Sequence, residues 1–200
     1  MMGEATGAAV AAATAIRILP RLGRFVFRGR ADAVAAVGGP YGVALPRQAC
    51  RAALVGTRAA LWLGPDEWLL LLPESEVEAC AATLTEALSG LRHSLVDISH
   101  RHVGLQITGP RAAFVLNAGC PLDLDRTAFP VGMCTRTVLG KAEIVLWRVA
   151  EESFRIEVLQ SFAAYILQLL REAQREEGVG CAEPGYPITI KDVTNAAIEA

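Results

Sequence analysis

Short segments in which apolar and polar residues alternate predict β-strands along most of the chain. In residues 103–108 every second residue is large and apolar, and residues 154–158 alternate in the same way. A period of two places alternate side chains on opposite faces, so both segments are typical of strands with one buried face. Further apolar runs predict strands at 24–27, 59–63, 68–72, 95–99, 135–139 and 143–149. Residues 64–67 contain Gly and Pro between two of these runs, which predicts a hairpin.

Helical spacing replaces this alternation between residues 77 and 88. Apolar side chains recur there every three or four positions, as on the buried face of a helix. Ser75 and Glu78 stand three residues apart at its start and predict a capping box. Gly90 follows and predicts the end of the helix.

Two more helices are predicted further along the chain. One opens at Pro110 and ends at Gly119. The other begins at Ser161 and carries an apolar stripe over 162–170. Near the N-terminus, by contrast, Gly38-Gly39-Pro40 predicts a turn or loop.

Strand pairs that alternate with single helices indicate an α+β fold. We expect a mostly antiparallel sheet with helices on one face, built from split β-α-β (ferredoxin-like) units. Residues 1–21 precede the strand pattern and predict a flexible leader, and residues 22–177 predict one α+β domain. Residues 178–200 lose the periodicity and predict a C-terminal tail.

Composition and charge narrow the function classes. The chain is 52% hydrophobic and 20% charged, which is enough apolar material for a folded core and for a surface covered by a partner. The net charge is −2 and no block of Lys or Arg occurs, so nucleic-acid binding is not expected. The sequence shows neither a basic secretory n-region nor an apolar run long enough to cross a membrane, and we expect a cytoplasmic protein.

Cysteine and histidine do not predict a metal site or a disulfide framework. The five cysteines are widely and irregularly spaced, which favours free thiols in a reducing compartment. His100 and His102 would share one face of a strand and could together bind a metal, but no third ligand follows at a recognised spacing. We therefore predict no metal site.

The sequence offers no strong catalytic or nucleotide-binding motif. Asp97, Ser99 and His100 suggest a hydrolase triad, but on a strand His100 would point away from the other two, and the side chains are better explained as partners of nearby backbone. Gly140-Lys141 lacks the Ser or Thr that ends a phosphate-binding loop, and no G-x-G-x-x-G motif is present. We expect no catalytic residue and no flavin or NAD site in this chain alone.

Several segments resemble known families. Residues 96–105, which contain Asp97-Ile98-Ser99-His100, are followed by Gly109-Pro110, and this combination is similar to the glycine-cleavage T-protein family of folate-dependent aminomethyltransferases. A more extensive resemblance, over roughly residues 22–175, is to the sarcosine oxidase gamma subunit family. The segments that carry it are 63–69, 118–124, 129–137, 139–147 and 154–163.

The resemblance implies a supporting subunit in a heterotetramer of alpha, beta, gamma and delta chains. Such a complex demethylates sarcosine oxidatively to glycine and hydrogen peroxide, and tetrahydrofolate accepts the one-carbon unit. FAD, FMN, NAD and tetrahydrofolate are expected in the other subunits, and the gamma chain is expected to pack directly against the alpha subunit, with the beta and delta subunits in the same complex. The fold expected from it is that of the T-protein folate-binding domain.

Two other functions stay open at this point. A stand-alone folate-binding domain for one-carbon transfer would need an acidic folate ligand, and in the matching segment near 140–145 the chain offers only Glu143. An oligomeric scaffold unrelated to amine oxidation is the third possibility. For the subunit hypothesis, the apolar run after Phe129 predicts burial in the core or under the alpha subunit. The interface candidates are Arg101, Asp123, Asp125, Met133 and Arg136.

Overall fold

The computed structural model describes residues 14–176 of the 200-residue chain, and these contain ten strands and four α-helices. The strands are β1 (Ala15–Ile18), β2 (Leu22–Gly29), β3 (Ala52–Val55), β4 (Arg58–Gly64), β5 (Glu67–Pro73), β6 (His93–Asp97), β7 (His102–Thr108), β8 (Cys134–Leu139), β9 (Ala142–Ala150) and β10 (Ser153–Leu159). The helices are α1 (Ala31–Tyr41), α2 (Val77–Ala87), α3 (Ala112–Asn117) and α4 (Gln160–Glu176). Within residues 14–176 no helix is long and apolar enough to cross a membrane.

The strands form two five-stranded sheets, and every pairing within them is antiparallel. Sheet A has the order β1-β7-β10-β9-β8, and sheet B has the order β3-β4-β5-β2-β6. The predicted α+β class and antiparallel pairing are therefore confirmed, and the structure divides the strands between two sheets.

The two sheets pack face to face, with helices on their outer faces. Along β9, Ala142, Ile144 and Leu146 pack with residues of α3 and α4, whereas Val145 and Trp147 pack with leucines of β4 and β5 in sheet B. The outer face of sheet B packs against α1 and α2 in the same way. The layers thus run from α1 and α2 through sheet B and sheet A to α3 and α4.

The two sheets are built from the same order of elements. In chain order, sheet B and its helices are formed by β2, α1, β3, β4, β5 and α2, and sheet A and its helices by β7, α3, β8, β9, β10 and α4. Strands that hold the same place in the two series also hold the same place in the two sheets. In sheet B the strand after the second helix, β6, pairs with the outer edge of β2. In sheet A the corresponding edge of β7 is filled by β1, from the N-terminal end of the described chain.

This arrangement corrects the predicted leader. The leader was expected to span residues 1–21, but Ala15–Ile18 is a strand of sheet A. The physical reason is the open edge of β7, whose backbone groups β1 satisfies, while Ile16 and Ile18 pack against the core beneath α4. Residues 1–13 and the predicted tail at 178–200 lie outside the described residues.

Two local predictions at helix ends are wrong. Gly38-Gly39-Pro40 lies within α1, because Val37 and Tyr41 are buried on one helix face and the Tyr41 hydroxyl contacts the carbonyl oxygens of Ala59 and Leu71 at 2.8 and 2.7 Å. Proline removes a hydrogen bond only in the last turn, and Gly42, at φ +80°, then ends the helix.

The capping box does not form at the start of α2. Ser75 lies in a 3₁₀ turn, Glu74–Glu76, and makes no capping bond. Glu76, the residue before the helix, has αR backbone angles, which cannot direct a side chain back to the helix amides as an extended residue would. Its carboxylate instead pairs with Arg58 at 2.6 Å. The predicted helix itself is confirmed.

Candidate functional site

A group of buried charges lies between the two sheets, where β2 faces β10. The Arg24 Nε donates to Glu157 Oε2 at 2.6 Å, and the Arg155 Nε donates to Glu157 Oε1 at 2.6 Å. The side chains of Arg24 and Glu157 are each 2% exposed and that of Arg155 is 14% exposed. We call these three residues the central ion cluster. Two guanidinium groups thus hold one carboxylate, and the cluster carries one excess positive charge.

The carboxylate of Glu157 is ionised in this setting. Burial by itself would raise the pKa of Glu157, because desolvation disfavours the charged form. The charges of Arg155 and Arg24 and their hydrogen bonds outweigh burial and hold the pKa below its ordinary value of 4.5. The group therefore acts as a fixed counter-ion and is not suited to exchange protons near neutral pH.

Glycine at position 104 makes room for the central ion cluster. Gly104 pairs with Glu157 across sheet A, and a Cβ built on it would lie 3.0 Å from Arg155 Nη2, 3.2 Å from Arg24 Nη2 and 3.3 Å from Glu157 Oε1. Any side chain here would push on all three charged groups. Gly104 is thus a packing position between the sheets.

A cavity of about 210 Å³, the inter-sheet cleft, opens beside the cluster. Its polar lining residues are Arg101, His102, Arg136, Glu143 and Glu157, and its apolar walls are Val26, Leu63, Leu69, Ile98, Ile144, Val145 and Leu159. The walls come from both sheets, so the cleft exists only when sheets A and B are packed together.

The two arginines of the cleft are held differently. Arg136 on β8 forms an ion pair with Glu67 on β5, which ties the sheets together, and its Nε lies 3.8 Å from Glu143. The hydrogen bond to Glu67 raises the pKa of Arg136 further. Arg101 is exposed, and its guanidinium makes no ion pair or hydrogen bond within residues 14–176.

His102 lines the same cleft and is neutral. Burial is the main cause that lowers its pKa below 6.5. Its Nδ1 is buried and has no hydrogen-bond partner among the described residues. His100, two residues earlier, lies in a 3₁₀ turn, and no three His, Cys, Asp or Glu side chains in the described part of the chain are grouped as a metal site would require.

The other interface candidates surround Arg148 of β9. Arg148 exchanges backbone hydrogen bonds with the 132–133 segment: its N–H donates to the Met133 carbonyl at 2.9 Å, and its own carbonyl accepts from Gly132 N–H at 2.9 Å. The Arg148 guanidinium, 3% exposed, donates to the carbonyl oxygens of Leu124, Phe129 and Glu151. This buried arginine holds the 120–133 loop against the sheet.

Asp123 and Asp125 lie in that loop and shape its turns. Asp123 accepts a hydrogen bond from the Asp125 N–H at 2.9 Å, and Asp125 accepts from both the N–H and the hydroxyl of Thr127. The hydrogen bonds from Thr127 lower the pKa of Asp125. The five interface candidates therefore form two groups: Arg101 and Arg136 at the cleft, and Asp123, Asp125 and Met133 near Arg148.

The residues considered for hydrolysis support the local backbone. The Ser99 hydroxyl donates to Asp97 and accepts from the Arg24 N–H at 2.9 Å. Ser99 thereby connects the end of β6 to β2. Burial also raises the pKa of the Cys134 thiol to about 12, so this cysteine is not a thiolate at neutral pH.

Sequence reasoning missed the central ion cluster. The alternation over 154–158 placed Arg155 and Glu157 on the polar face of their strand, and solvent was the simplest surrounding for that face. One signal could have indicated a second sheet. Arg155 and Glu157 carry opposite charges two residues apart on a central strand, and another strand carries the charged residue Arg24.

Two stacked antiparallel sheets with outer helices define the class of α+β protein to which the chain belongs. The same fold occurs in the glycine cleavage system aminomethyltransferase T from Bartonella henselae, with a TM-score of 0.61 over 80% of this chain and 46% of that chain. The identity is 16%, so this likeness concerns the fold alone.

The chain belongs to the sarcosine oxidase gamma subunit family, whose model matches residues 28–176. It is 34% identical to sarcosine oxidase subunit gamma of Corynebacterium sp. (strain P-1) over 84% of this chain and 78% of that protein. It is 35% identical to the subunit from Arthrobacter sp over 71% of this chain and 70% of that protein. A chain of heterotetrameric sarcosine oxidase from Corynebacterium sp. U-96, in complex with pyrrole 2-carboxylate, matches with a TM-score of 0.79 and 33% identity over 88% of this chain and 90% of that chain.

Proposed function

We propose that the chain is the gamma subunit of a heterotetrameric sarcosine oxidase and that it supports assembly without catalysing a step itself. The observation that carries the proposal is the family match over 28–176 together with the fold match to a chain of a heterotetrameric enzyme. In this proposal the complex converts sarcosine to glycine and hydrogen peroxide and passes the one-carbon unit to tetrahydrofolate. FAD, FMN, NAD and tetrahydrofolate bind to the other subunits.

The arrangement of charges supports a non-catalytic role. Glu157, Arg24 and Arg148 are buried and fully engaged in bonds within the fold. The Cys134 thiol has a pKa of about 12. These groups stabilise the packing of sheets and loops, and none of them is free to act on a substrate.

An exposed apolar corner supports a protein partner. The Ala52 N–H donates to the Gly132 carbonyl at 2.8 Å, which joins β3 to the segment before β8. Large apolar side chains flank this junction: Leu54 is 57% exposed, Val55 59% and Val131 50%. We call Leu54, Val55, Val131 and the half-buried Met133 the corner patch. Apolar groups concentrated at a strand edge are typical of a surface that a partner covers, and we assign this surface to the alpha subunit.

Co-expression with the alpha subunit tests both the assembly of the complex and the corner patch as the contact surface. The full chain, affinity-tagged, is expected to retain the alpha subunit through size-exclusion chromatography. The double variant Leu54→Asp/Val131→Asp is expected to lose it, because two buried charges would replace apolar contact. Val96→Asp is the matched control, since Val96 is 47% exposed on β6, at the opposite edge of sheet B.

Three results would contradict parts of the proposal. Failure of the wild-type chain to retain a large subunit would contradict the subunit role. Equal retention by the double variant and by Val96→Asp would contradict the corner patch as the contact. Tight, saturable binding of tetrahydrofolate by the purified chain, lost in Glu143→Gln, would contradict the non-catalytic assignment and favour a one-carbon transfer domain.

A further inference from the structure

We propose that the inter-sheet cleft is a binding site for a carboxylate group carried on a small apolar body, with Arg101 as the main anion contact. Guanidinium groups outnumber carboxylates at the cleft and among the residues bonded to its lining. Arg101, Arg136, Glu143 and Glu157 line the cleft. Arg24 and Arg155 are bonded to Glu157, and Glu67 is bonded to Arg136. Four guanidinium groups against three carboxylates leave one excess positive charge.

Arg101 is the one guanidinium group of this set without a carboxylate partner among residues 14–176. The central ion cluster uses Glu157 twice, and Glu67 is already bonded to Arg136. Two arginines line the cleft. Arg136 has a counter-ion, and Arg101 has none within residues 14–176. A guanidinium group binds a carboxylate through two parallel hydrogen bonds, and such charge-assisted bonds are stronger than neutral ones.

The shape and lining of the cleft define the rest of the ligand. Its volume of about 210 Å³ suits a small molecule or one side chain. Seven of its twelve lining residues are aliphatic, and those whose side chains lie between the sheets would contact a short aliphatic or aromatic body. A heavily hydrated multivalent anion would lose water against these walls without enough polar partners to replace it.

Buried polar atoms without partners lie beside the cleft. His102 Nδ1, on a residue that lines the cleft, and Arg155 Nη2, in the central ion cluster, are both buried and unpaired within residues 14–176. Unsatisfied buried groups are uncommon in folded proteins, and they occur where a further group completes the site. The neutral His102 ring thus offers a hydrogen-bonding nitrogen at the cleft, and the Arg155 guanidinium adds positive charge beside Glu157.

The carboxylate can come from a free small molecule or from an acidic side chain of the partner subunit, and in the second case the inference rests on the proposed assembly. The test on the free molecule uses the purified full-length chain, benzoate as probe and benzamide as its uncharged isostere. Methyl signals of Ile98 and Val145 in NMR spectra report binding, because both side chains lie between the sheets and line the cleft.

Benzoate is expected to shift the methyl signals of both residues in a saturable manner, and benzamide is not. Arg101→Gln is expected to weaken benzoate binding about tenfold, the effect of removing one charge-assisted hydrogen-bonded partner. Arg47→Gln, an exposed arginine outside the cleft, is the control and should bind as the wild type does. Equal binding of benzamide, or binding unaffected by Arg101→Gln, would overturn the proposal.

The second arm identifies a partner side chain as the source. If benzoate does not bind the isolated chain, the co-expressed complex is compared for Arg101→Glu, Arg101→Gln and Arg47→Glu. Retention of the large subunit that falls in the order wild type, Gln, Glu, with Arg47→Glu unchanged, supports an acidic side chain in the cleft. If neither benzoate binding nor assembly depends on Arg101, the cleft is not a carboxylate site, while wild-type co-purification would still support the subunit role.

Discussion

At the residue scale, Glu157 is the counter-ion of the two arginines buried between the sheets. Removing its carboxylate leaves the guanidinium groups of Arg24 and Arg155 buried without a counter-ion. Breaking a buried pair by changing one partner costs about 3–5 kcal/mol. Glu157→Gln is therefore expected to lower the free energy of unfolding by that amount in urea denaturation, whereas Glu86→Gln, on the exposed face of α2, should change it by less than about 0.5 kcal/mol.

The pH dependence of stability provides an independent check on Glu157. Because the folded pKa is depressed below 4.5, the unfolded chain takes up the proton first as the pH falls. The stabilisation is fully present above pH 4.5 and is lost as the pH falls through the folded pKa. Glu157→Gln should remove this part of the acid dependence. If Glu157→Gln loses stability below pH 4.5 as steeply as the wild type does, the Glu157 carboxylate is not held ionised in the folded protein.

Glycines in two environments predict opposite effects of the same substitution. Gly104→Ala places a methyl group 3.0 to 3.3 Å from the three charged side chains and is expected to cost about 1–3 kcal/mol, as overpacking does. Gly39→Ala, in α1 with no atom within 4 Å of the new Cβ, should be neutral or stabilising by up to about 1 kcal/mol. Thermal unfolding of both variants measures the difference, and a harmless Gly104→Ala would contradict the tight packing inferred at this position.

At the scale of the elements, eight of the ten strands and three of the four α-helices could be predicted from the sequence because each shows its periodicity locally, whereas β1, β3 and α1 were not predicted. What covers the face of each sheet opposite the helices could not be predicted. Arg155 and Glu157 alternate with buried residues, and local sequence cannot distinguish solvent from a second sheet carrying Arg24. Of the candidate site, Arg101 and Arg136 were predicted as interface residues, but the cleft between them depends on how two sheets stack, which no local pattern encodes.

Helix α1 illustrates how tertiary contacts override local preference. Glycine and proline both favour a break, and the helix continues through all three of these residues. Tyr41 explains the difference, since its ring is fully buried and its hydroxyl contacts two strand carbonyls. The Arg58 guanidinium also donates to the Tyr41 carbonyl at 2.7 Å. These contacts come from β4 and β5, which are distant in sequence, so the local pattern could not reveal them.

At the scale of the whole molecule, the described residues form two similar halves, each a sheet with two helices on its outer face. The halves differ in which end of the chain supplies the edge strand: β6 follows α2 in sheet B, and β1 precedes both halves in sheet A. The N-terminal strand therefore closes the sheet that is formed by the C-terminal half. Gln174 near the end of α4 also donates to the Thr14 carbonyl, which fixes the start of β1 to the last helix.

This closure predicts that a few residues near the N-terminus stabilise the C-terminal half. Ile16 and Ile18 pack against the core beneath α4, while Arg17, between them, is exposed and bonds to Gln106. The double variant Ile16→Thr/Ile18→Thr is expected to lose about 1–2 kcal/mol of stability through lost apolar burial. Arg17→Gln removes one exposed contact and should cost less than about 0.5 kcal/mol. In native-state hydrogen exchange, the double variant should also lose protection first in β7, whose edge β1 covers, and not in β6. Uniform loss of protection in both sheets would mean that β1 stabilises the molecule as a whole rather than the edge of sheet A.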